Sequence, residues 1–265
     1  MKKILFITFL LIVSNVGFGQ SKSKSIKQIR SHFKWVNSQK DFEIVELNNE
    51  DFMDFPTDNG ATLKGYFKHD TLYKIVRIIG ISYAILNTEY YLKDNKLIFV
   101  YDTESPFKEA TDSLGNITGF DYTQTKLTFQ GRYYYSHEKK IKTLEKGERL
   151  LKLDTAADFV AKAHNYESML RNKKDFKKEY DLLQGKWVST EDSLVSFEFD
   201  GLIELDYYDG EFLQEYRIKI EGNYFYSTDL IENASYKYEI LNLTEKRLTL
   251  MFLPSGRILK YKKID

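Results

Sequence analysis

The sequence contains no cysteine and only three prolines among its 265 residues. Without cysteine the chain can form neither a disulfide nor a thiolate zinc site, so its stability must come from packing. Basic and acidic residues number 39 each, and the formal net charge of zero argues against nucleic acid as a partner. Beyond the N-terminal twenty residues, no apolar run approaches the length of a membrane span.

The first twenty residues, MKKILFITFLLIVSNVGFGQ, have the three parts of a secretory signal peptide. Two lysines form a positive start, an apolar core follows, and Gly17 and Gly19 supply the small residues of a cleavage site. We therefore expect residues 1–19 to be removed and Gln20 to begin the mature chain. The mature protein is expected to be exported, to the periplasm or as a secreted protein, without a transmembrane segment.

Twenty tyrosines and nineteen phenylalanines favour β-strands, and turn residues divide much of the chain into short segments. Residues 25–38 have the apolar spacing of an amphipathic helix, whereas residues 41–146 have the pattern of strands joined by tight turns. Residues 105–119 form a polar stretch that predicts a loop. Three segments combine an aromatic pair, a polar turn and a second strand, which predicts β-hairpins at 65–76, 89–100 and 132–143.

These patterns predict an α+β protein that is mostly antiparallel β and has two domains. Residues 20–150 would form a helix plus an antiparallel β-meander. A second helix is predicted from about Thr155 to Leu170, and its highly charged continuation suggests that residues 151–181 connect the domains as a helix and linker. Residues 182–265 contain about eight short strands in chain order, which predicts a small up-and-down β-barrel.

The segment LLQGKW at 182–187, the later YKYEILNLTEKRLTL and the closing GRILKYKK resemble the lipocalin-like domains of many secreted bacterial proteins. This resemblance implies that Gly185 and Trp187 begin the barrel and that the Trp187 ring plugs its closed end. In lipocalins an arginine from the last part of the barrel packs on this tryptophan, and Arg257 lies in that region. The Thr-Asp-Tyr motif expected in classical lipocalins is absent.

The four histidines show no paired metal-ligand spacing; they are His32, His69, His137 and His164. The dipeptides His69-Asp70 and His137-Glu138 occupy equivalent turns of two predicted hairpins, an arrangement that suggests two imidazoles and two carboxylates in proximity. Turns select polar residues for structural reasons alone, so we interpret both dipeptides as solvated turns.

Acidic residues cluster at two places, Glu50, Asp51, Asp54 and Asp58, and Asp206, Asp209 and Glu211. Neither cluster has the spacing of an EF-hand calcium loop, and solvated loops explain both. The chain contains no nucleophile elbow, phosphate-binding loop or dinucleotide fingerprint. The sequence therefore predicts no catalytic residue, cofactor or metal site.

Our first hypothesis is an exported, non-catalytic binding or interaction protein of the bacterial envelope, whose partner is an unknown protein or a small apolar ligand. An alternative is a carrier that holds a small apolar ligand in the C-terminal barrel, and a buried cavity there would favour it. A second alternative is a carboxylate-dependent hydrolase, which two carboxylates about 5–9 Å apart in a cleft would favour. The short strands and bulky inward side chains of the barrel argue against a large ligand.

Overall fold

The computed structural model describes residues 22–53, 55, 57–150, 158–253 and 255–264. These residues form two units. The first lies within residues 1–44 and 65–164, and the second within residues 45–64 and 165–265. Each unit is built mainly from antiparallel strands, as the sequence predicts.

Helix α1, residues 22–38, and most of an eight-stranded sheet make up the first unit. The strands of this sheet are β1 (Glu43–Asn48), β2 (Ala61–Lys68), β3 (Thr71–Ile81), β4 (Ala84–Lys93), β5 (Lys96–Thr111), β6 (Ile117–Thr125), β7 (Phe129–Ser136) and β8 (Lys139–Gly147). Their order is β1-β2-β3-β4-β5-β7-β8, and β6 pairs with β5 outside this path. The predicted helix and meander are confirmed.

The three predicted hairpins are present, and their turns explain the residues found there. Asp94 and Asn95 between β4 and β5 both have positive φ angles, as do His137 and Glu138 between β7 and β8. Two consecutive positive φ angles define the type I′ turn, whose twist matches that of the flanking strands. The local sequence therefore determines the pairing of these strands.

The loop predicted at 105–119 is wrong, because β5 continues to Thr111 and β6 begins at Ile117. Strand pairing between Phe107 and Thr125 extends the sheet through this polar stretch. The Phe107 ring is buried and lies 4.9 Å from the Tyr122 ring, centroid to centroid. One buried aromatic side chain and backbone hydrogen bonds thus override the polar composition.

Helix α1 packs its apolar side on one face of the sheet. Ile29 and Val36 are buried there with Tyr91, Phe99 and Tyr134. The ring of Phe99 contacts the ring of Tyr134, with centroids 5.0 Å apart. Polar contacts fix the helix as well, because His32 Nε2 lies 2.9 Å from the Leu92 carbonyl oxygen and Asn37 Nδ2 donates to the Tyr91 hydroxyl. Burial lowers the pKa of His32, which favours its neutral ring.

The second unit contains three helices and the barrel strands. The helices are α2 (Asn49–Phe52), α3 (Phe159–Asp175), which belongs to this unit from Asn165 onward, and α4 (Lys177–Leu183). The strands are β9 (Gly185–Ser189), β10 (Val195–Asp200), β11 (Ile203–Tyr208), β12 (Glu211–Glu221), β13 (Tyr224–Asp229), β14 (Ser235–Leu243), β15 (Arg247–Leu253) and β16 (Arg257–Ile264). The predicted start of the second helix at Thr155 lies outside the described residues.

Each barrel strand pairs antiparallel with its neighbours in chain order, and β9 closes the barrel by pairing with β10 on one side and β16 on the other. Phe197 and Phe199 of β10 point inward, where Phe199 meets Phe225 of β13 at 5.8 Å between ring centroids. The predicted eight-stranded barrel is confirmed. Buried residues alternate with more exposed ones where the strands line the core, as at Phe197 and Phe199 of β10 and at Ile218 and Ile220 of β12.

Hydrogen bonds join helices α3 and α4 to the barrel. The Tyr180 hydroxyl donates to Asn172 Oδ1 and accepts from the backbone N–H of Ile220, at 2.6 and 3.0 Å. Asn172 Nδ2 also donates to the Ile220 carbonyl at 2.7 Å. Burial raises the pKa of Tyr180 to about 12, so the hydroxyl keeps its proton and its role as a donor.

Among the described residues, no helix is both long enough and apolar enough to cross a membrane.

Candidate functional site

A pocket with a cavity volume of about 350 Å³ lies in the first unit, between α1 and strands β5 and β7. Its apolar walls come from Ile29 and Phe33 of the helix and from Phe99, Tyr101 and Tyr134 of the sheet. Phe33 and Phe99 meet edge to face with centroids 5.4 Å apart, which gives the walls a fixed aromatic surface. The volume is within the range of small-molecule sites.

Three cationic side chains, Arg30, Lys34 and Arg132, line the same pocket. The Arg30 guanidinium lies 5.9 Å from the centroid of the Tyr134 ring, and that of Arg132 lies 5.5 Å from the centroid of Tyr101. Among the described residues, no carboxylate forms an ion pair with any of the three, and no acidic residue lines the pocket. The pocket therefore joins an apolar interior to unneutralised positive charge.

The sequence carries one signal for this site, the basic character of α1, which motif and spacing patterns do not reveal. Residues 22–38 contain four lysines and one arginine but no acidic residue. Helix α1 therefore carries charged side chains of positive sign only. The chain as a whole has no net charge, so this excess of positive charge is a local property of α1.

A second polar cluster lies in the first unit, around Arg149. Its guanidinium donates to Asp102 Oδ2 and Glu104 Oε1, each at 2.8 Å, and to the Tyr133 hydroxyl at 2.7 Å. Asp102 and Glu104 are both buried. The backbone N–H of Leu150 also donates to Glu104, at 2.6 Å. The arginine thus neutralises two buried carboxylates on neighbouring positions of β5.

The turn that brings Arg149 back over the sheet requires glycine at position 147. Gly147 ends β8 with a φ angle of +86°, and a Cβ there would lie 1.8 Å from the Thr128 carbonyl oxygen. Only a residue without a side chain fits this approach. Because every carboxylate of the cluster is already bound by Arg149, we assign the cluster a structural role.

The barrel interior contains a second pair of carboxylates, on Glu204 and Asp206 of β11. Glu204 is buried and accepts a hydrogen bond from the Ser227 hydroxyl across the barrel. Burial raises the pKa of both carboxyls above their usual range, and the charge of Asp206 raises that of Glu204 further. Asp206 Oδ1 is buried without a hydrogen-bond partner among the described residues. Both carboxyls therefore keep their protons to a higher pH than they would in water.

We expect the free energy of unfolding of the barrel to fall as the pH rises from about 4 to about 8. In this pH interval the carboxyls of Glu204 and Asp206 ionise readily in the unfolded chain, because water surrounds them. In the folded chain the same carboxyls must ionise inside the barrel, which costs free energy. Glu204→Gln, which cannot ionise, should flatten this dependence. At about pH 8 the variant should be more stable by about 1.4 kcal/mol or more, the equivalent of one pKa unit.

Urea unfolding followed by tryptophan fluorescence tests this prediction. The chain has two tryptophans, so a Trp35→Phe background reports on Trp187 of the barrel alone. Glu215→Gln on the exposed side of β12 is the matched control and should leave the pH dependence unchanged. If the free energy of unfolding depends on pH in the same way for wild type and Glu204→Gln, the pKa of Glu204 is not raised in the folded barrel.

The structure gives the two histidine-containing turns separate partners. His137 Nδ1 lies 3.2 Å from the Ser136 hydroxyl, and Glu138 Oε1 lies 2.8 Å from His164 Nε2 of α3. Beside the other turn, Lys68 forms an ion pair with Asp41 at 2.9 Å, and its hydrogen bond is the main cause of the lowered pKa of Asp41. In the part of the chain that is described, no group of three or more histidine and carboxylate side chains is arranged to hold a metal.

The acidic cluster near residue 50 contributes to the second unit instead of forming a loop site. Asp51 Oδ2 accepts from the backbone N–H of Asn48 at 2.9 Å, and Oδ1 accepts from that of Leu202 at 2.6 Å. Asp51 therefore caps α2 and binds the backbone at Leu202, which gives this carboxylate a structural role. Asp54 of the same cluster lies outside the described residues. Of the other cluster, Asp209 occupies a turn with a positive φ angle.

Strand β9, the first strand of the barrel, begins at Gly185 and contains Trp187. Gly185 has a φ angle of +96°, and Trp187 is fully buried with Nε1 donating to the Leu183 carbonyl at 2.6 Å. The cation over the Trp187 ring is Lys263, with Nζ 5.2 Å from its centroid. Arg257 is exposed and lies 4.0 Å from Glu191, because it begins β16 whereas Lys263 pairs with Trp187.

Gly19 and Gln20, the predicted cleavage site, lie outside the described residues. Comparison of the chain with protein-family models, with curated proteins and with solved structures finds no match.

Proposed function

We propose that this protein is an exported, non-catalytic binding protein of a bacterial envelope, and that its site is the pocket beneath α1. The observation that supports this proposal is the combination of an apolar cavity of about 350 Å³ with three cations that have no ion-pair partner among the described residues. An apolar wall binds an aliphatic or aromatic body, and the cations bind an anionic group at its end. The ligand is therefore an amphipathic anion.

The pocket suits binding more than catalysis. No acidic or histidine side chain lines it in the part of the chain that is described, so its walls offer neither a carboxylate nor an imidazole as general base. Buried carboxylates elsewhere, at Asp102 and Glu104, are bound by Arg149. These features favour the binding hypothesis over the carboxylate-dependent hydrolase.

We propose that the barrel is of the lipocalin-like kind and serves mainly as a scaffold. Its closed eight-stranded architecture and the buried Trp187 at its first strand support this relationship. Inward rings occupy the interior; Phe197, for example, contacts Phe199 and Tyr261 at 5.1 and 4.5 Å between centroids. A packed interior favours the first unit over the barrel as the ligand site, in contrast to the carrier hypothesis.

Isothermal titration of the purified full chain with dodecanoate tests the proposed site. We expect binding with a Kd of about 1–100 µM, typical of a small apolar pocket with a few polar contacts. The neutral analogue dodecanol should bind about tenfold more weakly, because it lacks the charge that the cations recognise. Wild-type protein that binds neither compound would refute the proposal.

A double substitution tests whether dodecanoate binds in this pocket. Arg30→Gln with Arg132→Gln should weaken dodecanoate binding about tenfold and leave dodecanol binding unchanged. Lys24→Gln with Lys140→Gln removes the same net charge from α1 and β8 at positions outside the pocket lining, and it should retain wild-type affinity. Equal losses in the two variants would show that only the overall charge matters.

A further inference from the structure

A second, more polar and more open cavity of about 490 Å³ shares one lining residue, Arg30, with the pocket. Three more cations surround it, Lys22 and Lys27 of α1 and Lys142 of β8. Ser23 and Ile26 complete its lining, and no acidic residue contributes among the described residues. In the same part of the chain, none of these lysines forms an ion pair.

The cations of α1 are concentrated along these two cavities. Lys22, Lys27, Arg30 and Lys34 line one or both of them, and only Lys24 does not. Lys142 of β8 pairs with Tyr134 of β7, which lines the pocket, so this lysine lies on the strand next to the pocket wall. Cations therefore line both the apolar pocket and the second cavity.

Four cations around one cavity exceed what a single carboxylate needs. A carboxylate has one negative charge and two oxygens, which one or two cations satisfy. A phosphate monoester has a charge of about −1.5 to −2 near pH 7 and three strong acceptor oxygens. Lysine ammonium groups are point charges that bind phosphate from several directions.

We infer that the ligand of the proposed site is a phosphate-bearing lipid. Its hydrocarbon chain would lie in the apolar pocket, and its phosphate would lie among Lys22, Lys27, Arg30 and Lys142. This inference rests on the proposed function, because it extends the same pocket. The shared chemistry is a phosphate group, which reaches the site either as a lipid headgroup or as free phosphate. Arg30 lines both cavities, which favours a single ligand that reaches both of them.

Titration of the full chain with dodecyl phosphate, dodecanoate and inorganic phosphate separates these sources. Dodecyl phosphate should bind at least about tenfold more tightly than dodecanoate, and millimolar inorganic phosphate should not displace it. Lys27→Gln with Lys142→Gln should weaken dodecyl phosphate binding about tenfold and change dodecanoate binding less than about twofold. Lys24→Gln with Lys140→Gln, one lysine from each same element, should change neither.

Each other result has a distinct meaning. Binding of dodecanoate with equal affinity for dodecyl phosphate would overturn the phosphate inference and leave the proposed function intact. Failure of both amphiphiles to bind would overturn both. Displacement of dodecyl phosphate by inorganic phosphate would show that the lysines bind free phosphate and that the alkyl chain of the ligand contributes nothing to binding. Equal losses in the two double-lysine variants would also overturn the inference.

Discussion

Trp187→Ala is expected to destabilise the barrel by about 3–5 kcal/mol, the usual cost of truncating a fully buried tryptophan. The Trp187 side chain has no exposed surface and donates a hydrogen bond to the Leu183 carbonyl at 2.6 Å. Its removal leaves a cavity at the first strand and an acceptor without its donor. A loss of this size is a large part of the stability of a small domain.

Urea unfolding followed by circular dichroism measures the effect, and two substitutions provide controls. Trp187→Phe keeps a ring in the cavity and loses only volume and the N–H donor, so it should cost clearly less. Trp35→Ala removes the other tryptophan, which is 40% exposed, and should leave the barrel transition unchanged. An unaltered transition in Trp187→Ala would show that the ring is not part of the barrel core.

Arg149→Met is expected to cost a similar amount, about 3–5 kcal/mol, in the first unit. The guanidinium is bound to two buried carboxylates, on Asp102 and Glu104, and to the Tyr133 hydroxyl. Methionine retains much of the packing volume but leaves both buried carboxylates without their ion-pair partner. The penalty of the unpaired charges therefore dominates the loss.

Neutralising the carboxylates in the same chain tests this cause. The triple variant Arg149→Met, Asp102→Asn and Glu104→Gln contains no buried charge at the cluster and should recover most of the lost stability. Arg257→Met is the matched control, because this exposed arginine lies 4.0 Å from Glu191 and should contribute less than about 1 kcal/mol. If the triple variant is no more stable than Arg149→Met, packing rather than charge explains the loss.

Local sequence determined the secondary structure and the barrel. Alternating apolar residues and turn residues such as Asp94-Asn95 specify strands and hairpins within a few residues of one another. Where a local signal opposed a distant contact, the distant contact prevailed. The polar stretch after Ser105 became strand because Phe107 found a buried position beside Tyr122. Similarly, Lys263 rather than Arg257 covers Trp187, since strand register decides which residue faces the ring.

Tertiary structure alone decided the candidate site and the charged clusters. The pocket joins residues 29–34 of α1 to Tyr101 and Arg132, which follow roughly 70 and 100 residues later in the chain, and no local pattern encodes that approach. Arg149 likewise reaches Asp102 only because β5 and β7 pair and Gly147 turns the chain back. The sequence shows the basic character of α1, and packing places an apolar pocket beside it. The raised pKa of Glu204 also depends on packing, because the interior of a closed barrel keeps water from its carboxyl.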